Sequence, residues 1–220
     1  MGQKKTTTFA YIKERLGGKL KHWQGKLLSE AGKDILIRVV AQALPNYAIS
    51  VFQLTKNFCE DLQQMCARFR WGSITDQKKI HWKKWDDLCH AKEVGGLGFR
   101  SFSEFNMSML SKQAWRVVSN PETLIAQLYK ARYFPDGSFW NATEHASPSY
   151  SWRSIFATRD LLRDGSIWQI RDGVSVSVVN DSWIPSLPSH KPQVITANQH
   201  DVVLVSDIIV APNVWNEEKV

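Results

Sequence analysis

The hydrophobic positions of this chain recur mostly at helical spacing, with one short stretch of strand-like alternation near the C-terminal third. Phe9 to Leu16 predicts a short helix that Gly17-Gly18 stops. Ser29 is placed to cap a helix from Glu30 to Leu44, closed by Pro45, with Leu36, Val39, Val40 and Ala43 on its buried face. Asn57 and Glu60 stand three apart like a capping box. They precede the stripe Phe58, Leu62, Met65 and Phe69, which ends at Gly72. Ser101 or Ser103 caps a helix to about Ser119, with Phe105, Met109, Leu110, Ala114 and Val117 inward. Asn120-Pro121 breaks it, and a second helix from Glu122 to Tyr133 buries Leu124, Leu128 and Ala131, giving an αα-hairpin. The last helix runs from Trp152 to Arg163 and ends at Gly165. Alternation then predicts a β-hairpin, Ile167–Arg171 and Val174–Val179, turning on Asp172-Gly173.

The fold class is therefore mostly α: a basic helical bundle followed by a helical module with one β-hairpin. Four regions follow from the pattern: a basic helical region over 1–72, a Trp- and Lys-rich connector over 73–100, and a helical module over 101–184 that includes the hairpin at 167–179. A linker and tail over 185–220, opened by PSLPSHKP, complete the chain.

Composition changes this picture in one respect. At 220 residues, 43% hydrophobic and 22% charged, the chain has globular values and enough length for a real core. The net charge of +7 hides an asymmetry, because residues 1–100 hold 18 Lys and Arg against 9 Asp and Glu, whereas 101–220 hold 10 against 12. A polyanionic partner would therefore meet the first half. Three cysteines (Cys59, Cys66, Cys89) without a Cys-x-x-Cys pair fit buried thiols in a reducing, intracellular compartment, nucleus or cytoplasm. No apolar run is long enough for a membrane span, and MGQKKTTTF has no apolar signal core.

The connector concentrates the candidate chemistry. Between Phe69 and Arg100 it interleaves Trp71, Trp82 and Trp85 with Lys78, Lys79, Lys83 and Lys84 and ends in the glycine turn Gly95, Gly96 and Gly98. Cations with aromatics suit a nucleic-acid surface; the plainer alternative is a basic connector whose tryptophans are core. GGLGF lacks the strand–turn–helix frame of a phosphate loop and reads as a tight turn.

Several blocks here carry a resemblance in order: FAYIKERLGGKLKHWQGKLLSEAGKDILIRVVAQALPNYAISVFQL, FRWG, KKIHWKKWDDLC, AKEVGGLGFRSFSEFNMSMLSKQAWR, YFPDGSFWNA, SPSYSWRSI and GSIWQIRDGVSVSVVNDSWIP. From about Phe9 to the end, the chain resembles plant LINE-type, non-long-terminal-repeat retrotransposon polyproteins, in the part that follows the polymerase motifs of the reverse transcriptase. That resemblance implies a thumb-like basic bundle lying along a template–primer duplex, in a fragment whose catalytic palm lies elsewhere. Trp85-Asp86-Asp87 looks like the aromatic-x-Asp-Asp motif of reverse transcriptases. It lacks flanking apolar strands and a third carboxylate for two metals, so both aspartates read as structural, salt-bridged to Lys83 or Lys84. The chain is then no enzyme by itself. It needs no metal or other cofactor, and its partners are an RNA–DNA hybrid or duplex and the rest of the polyprotein. The candidate phosphate contacts are Lys19, Lys21, Lys26, Lys33, Arg38, Lys78, Lys79, Lys83 and Lys84, which would hold a duplex without reading its sequence. The competing expectation is a degenerate transposon-derived fragment that binds nothing.

Overall fold

The computed structural model describes residues 8–72, 79–187, 190–192, 204–211 and 214–215. Among them the chain is mostly helical and forms two compact units, Met1–Arg159 and Asp160–Val220.

The first unit opens with α1 (Ala10–Gln24), which buries Ile12, Leu16 and Leu20 at helical spacing. The helix continues through Gly17-Gly18 rather than stopping there, and the reason is steric. A side chain starting at Gly17 would stand 3.3 Å from Cε of Met65, so the glycine lets α1 lie close against α4 (Lys56–Arg70). Packing on the neighbouring helix outweighs the roughly 1 kcal/mol that glycine costs inside a helix.

Ser29 caps α2 (Glu30–Leu36) by accepting the Gly32 amide at 3.1 Å, as its position predicts. Beyond α2 the chain widens into a π-helical turn, Ile37–Ala41. The wider turn shifts the buried face. Ile37 and Ala41 point inward, and Val39, expected inside, is exposed. A short α3 (Asn46–Val51) follows. The cap of α4 is Thr55, whose hydroxyl accepts the Phe58 amide, instead of the Asn57–Glu60 box. Its buried face holds Phe58, Leu62 and Phe69 as the stripe predicts, with Cys59, Cys66 and Ala67 alongside.

α5 (Trp85–Cys89) is one turn within the connector, and α6 (Phe102–Ser119) is the axis of the unit. Ser101 caps α6. Buried Asn106 on α6 accepts the Leu54 amide at 2.8 Å and donates to the carbonyls of Ile49 (2.7 Å) and Phe52 (2.9 Å). One side chain thus satisfies the backbone groups left over where α3 ends. α7 (Leu124–Tyr133) pairs with α6 as an αα-hairpin but presents the opposite face from the one expected. Ala126, Tyr129 and Tyr133 are buried, whereas Leu124 and Leu128 are 82% and 59% exposed. The cause is Trp152 on α8 (Tyr150–Phe156), which stacks on Tyr133 at 4.4 Å and draws Tyr129, Phe134 and Phe139 around it. An aromatic cluster buries more surface than two leucines, so it sets the helix rotation.

In the second unit, after α9 (Arg159–Gly165), the expected hairpin over 167–179 does not form. Gly173 does adopt the left-handed turn conformation (φ 70°), but the flanking segment pairs elsewhere. The carbonyls of Val176 and Gly173 accept the amides of Val205 (2.8 Å) and Ser206 (3.1 Å). Val176 is buried with Val205 and Ile208, and Ile170 and Val178 pack on that cluster. A lone hairpin is barely stable in water, and partners downstream bury Val176 where its own arms would not. The strand pair among the described residues is β1 (Ile209–Ala211) with β2 (Val214–Trp215), antiparallel, in a stretch read as tail.

Candidate nucleic-acid interface

The connector folds back on itself before it reaches α6. Trp85 is buried and stacks on Phe99 with centroids 5.1 Å apart and planes 9° from parallel. The Leu88 carbonyl accepts the amides of Leu97 (2.9 Å) and Phe99 (3.2 Å), and the His90 carbonyl accepts that of Gly98 (2.8 Å). Gly95 (φ 84°) and Gly98 (φ 64°) take left-handed conformations, so GGLGF is a turn, as its sequence suggests.

Two of the candidate cations hold this turn in place. Arg38 donates from its guanidinium to the Leu97 carbonyl and lies over the Phe99 ring at 5.2 Å. Lys83 donates to the Gly95 carbonyl at 2.8 Å. Sequence spacing could not separate these two from the other lysines, because their acceptors are carbonyls distant along the chain or inside the turn.

The other candidates occupy the surface. Lys19 and Lys21 project from the exposed side of α1, Lys26 follows it, and Lys84 precedes α5; all four are exposed. Lys33 bonds Glu30 at 2.7 Å. Its ammonium lies 3.8 Å, and that of Lys79 3.5 Å, from the point where a side chain would begin at Gly72. Two positive charges therefore converge on the left-handed end of α4 (Gly72 φ 67°). Lys78 falls outside the described residues.

Arg70, on the last turn of α4, was not among the candidates, yet it organises this corner by bridging Glu30 and, at 2.5 Å, Asp34. Burial raises the Asp34 carboxyl above its ordinary range, against the lowering effect of Arg38, Lys33 and Lys92. The arginine and lysine offset the acids here, so the corner does not repel an anion. Beside it opens a groove of 660 Å³ lined by Glu30, Arg70, Trp71, Lys79, Ile80 and Trp82. A second groove of 560 Å³ runs between α4 and the connector, with Arg68, His81, Lys83 and Lys84 on its walls beside Glu60 and Asp86.

Asp86 and Asp87 sit in the first turn of α5, exposed, with no ion pair to Lys83 or Lys84 among the described residues. Carboxylates at that position face a helix N-terminus, which favours them electrostatically.

Comparison with known proteins places the chain among plant sequences. Over 143 residues it is 43% identical to the "Uncharacterized mitochondrial protein AtMg00310" of Arabidopsis thaliana, covering 64% of this chain and 93% of that protein. It is also 29% identical over 220 residues to the "Putative ribonuclease H protein At1g65750" of the same plant, covering 94% of this chain. Of that longer relative the chain spans about a third, 33% of its length. No family model matches the chain, and no solved structure matches it. At that identity and coverage, the chain belongs to the family of the uncharacterized mitochondrial protein AtMg00310.

Proposed function

We propose that this chain is a non-catalytic, nucleic-acid-holding segment derived from the reverse transcriptase of a plant non-long-terminal-repeat retrotransposon. It grips a template–primer duplex through backbone phosphates. The observation that carries the reading is the set of lysines on the first unit: Lys19, Lys21, Lys26 and Lys84 exposed, with Lys33, which also bonds Glu30, and Lys79 converging at Gly72. Arg38, half-buried on the connector's turn, is left out of the proposed contact set, whereas Lys83 bonds a carbonyl of that turn and stays exposed beside Lys84. The relative named as a ribonuclease H protein adds support, since an enzyme of that name acts on nucleic acid.

Phosphate contacts of this kind fix a duplex without reading its sequence. Catalysis lies outside the proposal. Asp86 and Asp87 begin a five-residue helix, where a polymerase needs carboxylates converging on two metals. The test is a titration of the purified chain with an RNA–DNA hybrid at several salt concentrations. With about five phosphates engaged, log affinity falls with log salt at a slope of about −4 to −5. A folded chain whose affinity ignores salt, or that binds no hybrid at all, overturns the reading.

A further inference from the structure

The groove beside Gly72 contains a feature that phosphate contacts leave unused. Trp82 is 77% exposed and Ile80 72% exposed, although both lie in a short connector segment against the well-packed end of α4. Trp71 forms the inner wall, with the Arg70 guanidinium 5.3 Å over its ring and His81 stacked on it at 6.3 Å. An indole this exposed gains nothing from the core, unlike Trp85 a turn later, which is buried against Phe99. Trp82 lines a groove whose size falls within the range of clefts that take small ligands. The charge around it is cationic: Lys79 lines the groove, Lys33 converges with it at Gly72, and the one lining carboxylate, Glu30, is bonded to both Lys33 and Arg70.

We propose that this groove is a stacking shelf for an unpaired nucleobase at the single-stranded edge of the bound hybrid. The base lies on Trp82 with Ile80 beside it, and Lys79 and Lys33 hold the adjoining phosphate. The inference rests on the nucleic-acid reading above and adds what that reading lacks, a preference for a duplex–single-strand junction. Every base has an aromatic face, so the shelf tolerates any sequence. Charge complementarity selects nucleic acid over an apolar helix, because Lys33, Arg70 and Lys79 outnumber the carboxylates of Glu30 and Asp34 around the groove.

The experiment compares three ligands on the full chain: a blunt RNA–DNA hybrid, the same hybrid with a short unpaired overhang, and the hybrid with an abasic overhang of equal length. Stacking one base on Trp82 is expected to make the plain overhang bind at least about fivefold tighter than the abasic one. Trp82→Ala removes that difference, Trp82→Phe keeps most of it, and both leave the affinity for the blunt hybrid and its salt slope unchanged. Circular dichroism melting checks that both variants fold; an exposed side chain is not expected to shift the melt. Equal binding of plain and abasic overhangs overturns the shelf while leaving the phosphate reading intact. Absence of binding to all three ligands overturns both. Loss of blunt-hybrid affinity in Trp82→Ala also overturns it, because the indole would then serve the duplex itself.

Discussion

Arg38 is the candidate phosphate contact for which the structure offers another role, and Arg38→Ala separates the two accounts. As a phosphate contact it would contribute affinity and salt dependence but little stability. The structure instead places its guanidinium on the Leu97 carbonyl and over the Phe99 ring, half-buried. A hydrogen bond from a charged group contributes about 1.5–3 kcal/mol, and the ring contact about 0.5–1 kcal/mol at this exposure. Truncation should therefore cost about 2–4 kcal/mol, a drop of roughly 5–15 °C in Tm for a unit of this size. Arg38→Lys should recover less than half, since an ammonium cannot reach the carbonyl and cover the ring together. Differential scanning calorimetry reads the first quantity and a salt titration with an RNA–DNA hybrid reads the second. The slope should stay within about 0.3 of wild type, whereas each lost phosphate contact would lower its magnitude by about 0.9. A Tm shift under about 2 °C together with a slope change near 0.9 would refute the structural assignment.

Other perturbations probe the frame that presents the interface. Gly96→Ala would place its new carbon 2.0 Å from the His90 carbonyl oxygen, so the turn must open; we expect more than about 2 kcal/mol of destabilisation, and faster hydrogen exchange at the Leu97 to Phe99 amides checks it. Asn106→Leu strands one amide and two carbonyls in the core and should cost about 3 kcal/mol or more, read as a lower urea midpoint at unchanged m. Burial pushes the Cys59 thiol from 9.0 up to about 11 and Cys66 to about 12. Both should therefore ignore a thiol reagent at pH 8 until the chain is unfolded in guanidinium. Because the folded values lie above the unfolded one, the stability these thiols contribute is complete below about pH 9 and is lost as pH rises toward 11 and 12; a Cys59→Ala, Cys66→Ala variant with the same alkaline slope as wild type would contradict this.

Local rules settled a good deal from the sequence alone. Ser29 caps the helix its position predicts, Ser101 is the one of the two candidate serines that caps α6, and Phe58, Leu62 and Phe69 of the predicted stripe are buried. GGLGF is a turn, and the chain is mostly helical. Each depends on residues within a turn or two of one another, so spacing contains the information. What the sequence left open was decided by partners far along the chain. Met65 explains why Gly17 does not end α1, Trp152 sets which face of α7 is buried, and the segment near Val205 takes the pairing of Val176 away from a local hairpin. The same holds for the candidate interface: charge counting located the basic half, but only tertiary structure divides its cations. Arg38 and Lys83 satisfy backbone carbonyls, Lys33 and Lys79 meet at Gly72, and Lys19, Lys21, Lys26 and Lys84 face solvent. A cation's role depends on whether a buried oxygen lies within its reach, and that distance exists only once the chain has folded.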